Sequence, residues 1–327
     1  MSSTTLSPAP TTWRPPPLAT LGPLFALVAA AAFFATQSDR FLSIQNFSLI
    51  LQQVMVVGTI AIGQTLVILT AGIDLSCGMV MALGGILMTR LAAVSGLNPY
   101  AAIACGLLAC MAFGLVNGLL VTRIRLPSFI VTLGTMNIAF AITQLYSSAQ
   151  TVTDLPPQMT FLGGTFAVGG AAINYGTLLM LVLYGAVWWG LRETQPGRHV
   201  YAVGNNPEAT RLSGIRTDRL LISVYVVAGV IYGIAALLLI ARTEVGDPNA
   251  GQTDNLDSIT AVVLGGTSLF GGRGVVLGTL FGALIVGVFR NGLVLMGVSS
   301  VYQILITGIL VIGAVSVDQL THRKERG

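Results

Sequence analysis

Of 327 residues, 54% are hydrophobic and only 9% are charged, with 16 Lys and Arg against 12 Asp and Glu. Soluble domains carry about 25% charged residues, so this balance excludes an ordinary soluble domain and points to several membrane-spanning helices of about 20 apolar residues each. The apolar runs do not alternate with period two, which excludes an outer-membrane barrel, and the basic residues form no stripe with aromatics, which excludes a nucleic-acid surface.

Residues 1–17, MSSTTLSPAPTTWRPPP, are rich in Ser, Thr and Pro and are expected to be disordered. The apolar run from Leu18 to Ala35 lacks a compact basic region before it and a small-residue cleavage site after it. It is therefore read as an uncleaved first span rather than a signal peptide. Further apolar segments fall near 49–70, 75–94, 99–121, 127–149, 172–191, 220–241, 258–271, 275–296 and 300–317. Together they predict an all-α polytopic membrane protein of about ten spans. The membrane domain then covers 18–318, with 319–327 as a C-terminal tail. The segment 258–271 is short and ends in LFGGRGVVLG, so a broken or re-entrant helix is expected there. The 39 glycines suit helices whose backbones approach closely. Cys77, Cys105 and Cys110 all lie in apolar runs and read as small buried residues, with no disulfide or metal spacing.

Lys and Arg set the orientation. With the 192–219 loop in the cytoplasm, 12 of the 16 basic residues fall inside, leaving only Arg40, Arg90, Arg242 and Arg290 at outer ends. Both termini are then cytoplasmic, and the loops 150–171 and 242–257 face outward. The second of these is acidic, with Glu244, Asp247, Asp254 and Asp257.

The sequence offers no enzyme chemistry. Lys324 is the single lysine and sits in HRKERG, without the glycines or the following Ser or Thr of a phosphate-binding loop. GTSLFGGRG, at 266–274, is glycine-rich but has no lysine. His199 and His322 are far apart in sequence, and no metal cluster, cofactor motif or catalytic triad is present. The stretches 74–85 and 257–266 are faintly alike, as an internal repeat or as two small-residue helices.

Polar residues inside the spans are few. Asp74, in ILTAGIDLSCG, needs water or a partner at membrane depth. It reads as the N-cap of the third span, near the cytoplasmic end, or as a contact on a translocation path. Gln64, Asn117 and Gln303 lie in other spans, and Asn137 and Gln144, seven residues apart, share one helical face. Uncharged amides suit a path for a polyhydroxyl solute and suit interhelical hydrogen bonds equally. Asn291 is a candidate for an outer vestibule together with Arg290, for which snorkelling to the headgroups is the preferred reading. The path candidates are thus Gln64, Asp74, Asn137, Gln144 and Asn291.

The stretch 196–219 holds six charged residues in an otherwise apolar chain. Within it, NNPEATRLSGI reads as a short complete helix. Asn206 is the N-cap and Pro207 the first helical residue. Glu208 and Arg211 complement the helix dipole, and Gly214 is the C-cap. So short a helix needs support from flanking spans or a partner. Leu212 and Ile215, flanked by charges, mark it as a docking element rather than a solvated loop.

Five stretches, LTAGIDLSCG, LPSFIVTLGTM, GRHVYAVGNNPEATRLSGI, SITAVVLGGTSLFGGRGVVLGTLFGALIVG and AVSVDQ, together resemble the permease subunit of bacterial ABC sugar importers of the ribose, fructose and xylose type. The likeness spans nearly the whole chain after about residue 20. It implies that Asn206 to Gly214 is the coupling helix that sits in a groove of a separate ATP-hydrolysing subunit. It also implies a second permease copy, identical or homologous, and a periplasmic sugar-binding protein that delivers a monosaccharide. The location implied is the inner membrane. Two rivals are a secondary transporter driven by an ion gradient, for which only Asp74 is available in the spans, and an ABC permease for branched-chain amino acids.

Overall fold

The computed structural model describes residues 18–324. The Ser/Thr/Pro-rich start and residues 325–327 of the tail lie outside the described residues. The described residues are mostly helical, with one short β-hairpin. In order it forms α1 (Leu18–Gln37), α2 (Ile44–Leu69), α3 (Cys77–Thr89, prolonged by a π-turn Arg90–Val94), α4 (Pro99–Arg123) and α5 (Ser128–Ser147). A short α6 (Pro157–Thr160) and a β-hairpin precede α7 (Tyr175–Glu193). Then come α8 (Gln195–Asn205), α9 (Pro207–Leu212), α10 (Thr217–Thr243), α11 (Asp254–Leu264), α12 (Val276–Leu295) and α13 (Ser300–Lys324).

Among the described residues, six helices are long and apolar enough to cross a membrane: α2, α3 with its π-turn, α4, α5, α10 and α12. Shorter apolar stretches lie at Gly22–Gln37 and Ser300–Leu310. The polytopic all-α class expected from the sequence is present, at a smaller count of spans by length and composition alone. α7 ends in Arg192 and Glu193, and α11 has only 11 residues before the chain leaves the helix at Gly265. The segment from 265 to 275 is non-helical.

The core is built around α2, in which every residue from Val54 to Leu69 is buried. A helix that is apolar on all sides belongs inside a bundle. α10, α12, α7 and α11 pack against it. α4 instead buries one stripe, Ala102, Gly106, Cys110, Gly114, Gly118 and Thr122, spaced by four residues. That spacing is one helical face, and it lies against α10. A Cβ on Gly114 would strike the Tyr225 carbonyl, so only glycine allows this approach. The outward face of α4 is apolar, with Leu108, Leu115 and Leu119 exposed, as suits lipid. Cys77 and Cys110 are buried as expected, but Cys105 is exposed, because it falls outside the buried stripe of α4.

Three elements escape the hydropathy pattern. The hairpin pairs Thr165–Val168 with Ala171–Asn174 across Gly169 and Gly170, both at positive φ, the conformation that tight hairpin turns demand. Its Ala172 N–H donates to Ser48 Oγ at 3.0 Å, tying the hairpin to the start of α2. α8 begins with a Thr194 cap, whose Oγ1 accepts from Gly197 N–H at 3.2 Å. The π-turn at the end of α3 carries Arg90, whose guanidinium stacks over Tyr146 at 5.2 Å.

Candidate translocation site

The bundle has two unlike ends. One carries the hairpin and the loop 244–253, bridged to Val152 at Gly246. Here a cavity of about 610 Å³ opens between α2, α3, α10 and α12, beneath the 244–253 loop. Its floor is aliphatic, with Val54, Val57, Ile86 and Ile240. Its upper wall is polar and charged, with Gln52, Gln53, Arg242, Asp254 and Arg290. Arg290 is half exposed and pairs with a carboxylate inside the bundle. Its Nη1 lies 3.3 Å from Oδ2 of Asp257, whose side chain is 7% exposed against 49% for the arginine. A nearly buried carboxylate demands a cation, and Arg290 supplies it.

Below the cavity lies a buried polar network where the chain unwinds between α2 and α3. Asp74 is 1% exposed. Its Oδ1 accepts from the N–H of Ser76 at 2.8 Å and from the Ser76 hydroxyl at 2.6 Å. α3 starts only at Cys77, so Asp74 closes a turn ahead of the helix instead of capping it. Asn117 of α4 donates to Ser76 Oγ at 3.1 Å, and Thr135 of α5 donates to Asn117 Oδ1 at 2.8 Å. Gln64 of α2 donates to the Asp74 carbonyl at 3.1 Å and accepts from the Tyr232 hydroxyl of α10 at 3.3 Å. The unwound backbone is satisfied by α5, since Ile73 N–H reaches Ser128 Oγ and Leu75 N–H reaches Thr132 Oγ1, each at 3.1 Å. Non-helical backbone at membrane depth survives only with such partners.

The other expected polar residues lie apart from this network. Gln144 donates to the Pro248 carbonyl at 3.2 Å and to Asn249 Oδ1 at 3.0 Å, so it fastens α5 to the loop over the cavity. Asn137 is exposed on α5 and bonds only its own helix, at Leu133 O. Asn291 is buried in a reciprocal amide pair with Asn46, at 2.9 and 2.8 Å, joining α12 to the start of α2. Gln53, Asp254, Asp257 and Tyr232 were not singled out from the sequence as site residues. Adjacent glutamines inside the apolar run 49–70 were the available signal for the first.

The opposite end holds α8 and α9. Asn206 caps α9, its Oδ1 accepting from Ala209 N–H at 2.9 Å, and Pro207 is the first helical residue. Glu208 and Arg211 pair at 2.7 Å on the exposed surface. The hydrogen bond from Arg211, then its charge, holds the Glu208 carboxyl below the usual range. Gly214 follows at φ +85°, a left-handed position that favours glycine. Leu212 is 77% exposed, a large apolar side chain held out from a six-residue helix. Behind α9 the end is tightly closed. Gly204 at the end of α8 abuts the Leu69 carbonyl and Gly272, and Gly272 N–H donates to Leu69 O at 2.9 Å. Tyr201 donates to the Gly274 carbonyl at 3.1 Å.

Buried helices around a polar-walled cavity, with a polar loop at the far end, define an integral membrane permease. Residues 46–315 match the family described as branched-chain amino acid transport system / permease component, and the chain belongs to that family. It is 46% identical over 303 residues to the fructose import permease protein FrcC of Rhizobium meliloti, across 91% of this chain and 84% of that protein. It is 40% identical over 296 residues to the ribose import permease protein RbsC of Escherichia coli K12, across 90% and 92%. With the ribose import permease protein RbsC of Bacillus subtilis 168 the identity is 39% over 301 residues, across 91% and 92%.

Proposed function

We propose that this chain is the membrane-spanning subunit of an ATP-driven importer that carries a monosaccharide across a bacterial inner membrane. The observation that carries the reading is α9: a capped helix of six residues that holds Leu212 out into solvent at the end opposite the cavity. A two-turn helix with an apolar tip is a handle for another protein, because it is too short to persist unaided and gains nothing from exposing a leucine. The partner is an ATP-hydrolysing subunit, since this chain's one lysine lies outside any phosphate-binding loop. A periplasmic sugar-binding protein docks over the 244–253 loop, and a second permease copy, the same chain or a homologue, completes the unit.

The bundle crosses the membrane about ten times, with α1, α7, α13 and the pair formed by α11 and its non-helical continuation adding to the six long spans. Both termini and the 192–219 loop are cytoplasmic, in keeping with the 12 basic residues on that side. Solute enters the outer cavity and descends past Gln64 and Asp74. Gln144 governs the loop above, Asn137 faces the second copy, and Asn291 steadies the outer wall through Asn46. ATP binding closes the partner subunits. α9 passes that motion to α8 and so to the Gly204 junction.

The sugar reading is favoured over the amino acid reading by the names of relatives at 40–46% identity. The test is reconstitution. Proteoliposomes holding the permease, its ATPase and the binding protein should accumulate radiolabelled ribose or fructose with internal ATP and no ion gradient. The purified chain alone should hydrolyse no ATP. Uptake by the chain alone under a proton or sodium gradient, or uptake of leucine in place of sugar by the complex, overturns the reading.

A further inference from the structure

A basic corner at the α9 end of the bundle has no use inside the chain. α4 and α10 run antiparallel and in contact: a Cβ on Gly114 would meet the Tyr225 carbonyl, and one on Gly118 would meet the Ile222 backbone. On two antiparallel right-handed helices, the residues just past such contacts turn to the same side of the seam. On α4 that side carries Leu108, Leu115 and Leu119, all exposed, and ends in exposed Arg123. Steps of seven, four and four residues keep these side chains on one helical face. On α10 the same side carries exposed Ser223 and Arg219, with Arg216 just ahead of the helix. The register of the glycine contacts sets Arg123 within one helical turn of Arg219.

Arg125 adds a fourth charge. α4 stops at Arg123, and the chain leaves it through Arg125 at φ +61°, the left-handed region where a helix end ordinarily places glycine. A side chain there costs free energy that glycine would not, yet the position holds an arginine. Exposed Ile124 and Leu126 alternate with the two arginines. Among the described residues, none of the guanidiniums of Arg123, Arg125, Arg216 and Arg219 has an ion pair or an aromatic ring beneath it. Asp218, exposed on the first turn of α10, pairs with none of them.

The geometry points to a binding site for one anionic phospholipid, its phosphate among Arg123, Arg125, Arg216 and Arg219 and an acyl chain along the leucine face of α4. Guanidinium and phosphate match in shape as well as charge. A free phosphate would leave the leucines unused, and a protein partner would not follow a face that runs on into the bilayer. A zwitterionic lipid brings its own cation to its phosphate and so competes poorly for these donors. In the orientation proposed above the site lies in the inner leaflet, where clustered arginines meet anionic headgroups. Only four residues separate α9 from α10, so a bound lipid steadies the root of α9. The inference needs a membrane around the bundle and does not rest on the importer reading.

The experiment melts the purified chain in a neutral detergent. Dioleoylphosphatidylglycerol should raise the melting temperature saturably. Dioleoylphosphatidylcholine and soluble glycerol 3-phosphate should not. The double variant Arg123→Gln, Arg219→Gln should melt as the wild type does without lipid and need about tenfold more phosphatidylglycerol for half the effect, because charged hydrogen bonds are lost. Arg125→Gly removes a charge and relieves the left-handed backbone. It should melt no lower than the wild type without lipid, and it should also respond more weakly to phosphatidylglycerol. Arg192→Gln is the control, since Arg192 already has Glu193 and Trp188 as partners, and it should respond as the wild type does. An equal shift with phosphatidylcholine would show the site to be acyl-selective only, and a shift with glycerol 3-phosphate would show a free-phosphate site; either overturns the proposal. So does a double variant that keeps the wild-type lipid response, and if that variant also loses a co-purifying ATPase subunit the arginines form a protein contact instead.

Discussion

The cavity end and the α8–α9 end of the bundle are packed by opposite rules. At the first, polar and charged side chains face one another across open space. At the second, backbone meets backbone: Gly204 against Leu69 and Gly272, with no room for a Cβ. The difference is what a pump needs in one of its states. A vestibule open on the side of delivery must be wet and self-neutralised. A closed gate on the side of release must be dry and dense, because a gap of even one methylene weakens close packing. The polar network of Gln64, Asp74, Ser76, Asn117 and Tyr232 sits between the two, fully bonded and buried.

The sharpest way to break this comparison is to ask which side of the membrane each end faces. Single cysteines at Gln158, Asn205 and Asn249, all exposed, would be treated with an impermeant thiol reagent on spheroplasts. Positions 158 and 249 should label and 205 should not until the membrane is permeabilised. Labelling at 205 from outside inverts the whole account.

Next in size is Gly204→Val. The added side chain meets the Leu69 carbonyl and the Gly272 backbone, neither of which can rotate away. Overpacking costs about 1–3 kcal/mol, and more where only backbone can yield. Uptake should be lost, and the inner end should admit a thiol reagent at a cysteine replacing Leu69 in inverted vesicles. Wild-type uptake in Gly204→Val would mean that the junction is not a gate.

Asp257→Asn tests the cavity end. It strips Arg290, on the wall of the cavity, of the carboxylate it pairs with. The stability cost should fall below the 3–5 kcal/mol or so of a fully buried pair, since Arg290 is half exposed. The expected result is a modest loss of thermal stability with a clear loss of sugar uptake. Asp257→Glu should restore part of both.

The smallest effect belongs to the amide pair. Asn291→Ala leaves the buried Asn46 Oδ1 without its donor, while Asn46 Nδ2 keeps the Phe41 carbonyl at 2.9 Å, and should cost about 1–3 kcal/mol of stability, read as a lower melting temperature in detergent. Adding Asn46→Ala should cost less than the sum of the two single changes, the mark of a direct interaction. Uptake per folded molecule should change little, which sets Asn291 apart from Asp257, the partner of the adjacent Arg290.

The sequence told the long apolar helices, a short or broken helix near 258–271 and the cap of α9 plainly, because each rests on local rules. Period and composition mark a buried helix, and Asn-Pro with a later glycine marks a short capped one. α8 was hidden because it is amphipathic and short inside a polar loop, where hydropathy carries no signal. The hairpin was hidden because TFAV falls in the loop read over 150–171 and AAIN straddles the start of the apolar segment 172–191; only the Gly169–Gly170 turn betrays it. In the site, single polar residues such as Asp74 and Gln64 stood out against their apolar surroundings. Their partners did not. Tyr232 and Gln64 are 168 residues apart in sequence, and Asp257 and Arg290 are 33 apart. No local pattern pairs them; the crossing of α2 with α10 and of α11 with α12 does.

The central claim is that α9 couples a separate ATPase to this bundle, and Leu212→Asp tests it most directly. The substitution alters no span, so the protein should insert and melt as the wild type does. It places a charge on the exposed apolar tip, which a dry protein contact would penalise by several kcal/mol or so. The measurement is co-purification of the ATPase subunit with the tagged permease, read together with ATP-driven sugar uptake, with Thr217→Ala at the start of α10 as the control. The account predicts that Leu212→Asp loses both partner and uptake while Thr217→Ala keeps both. A Leu212→Asp complex that retains its ATPase and transports at the wild-type rate would show α9 to be a solvated loop and would contradict the account.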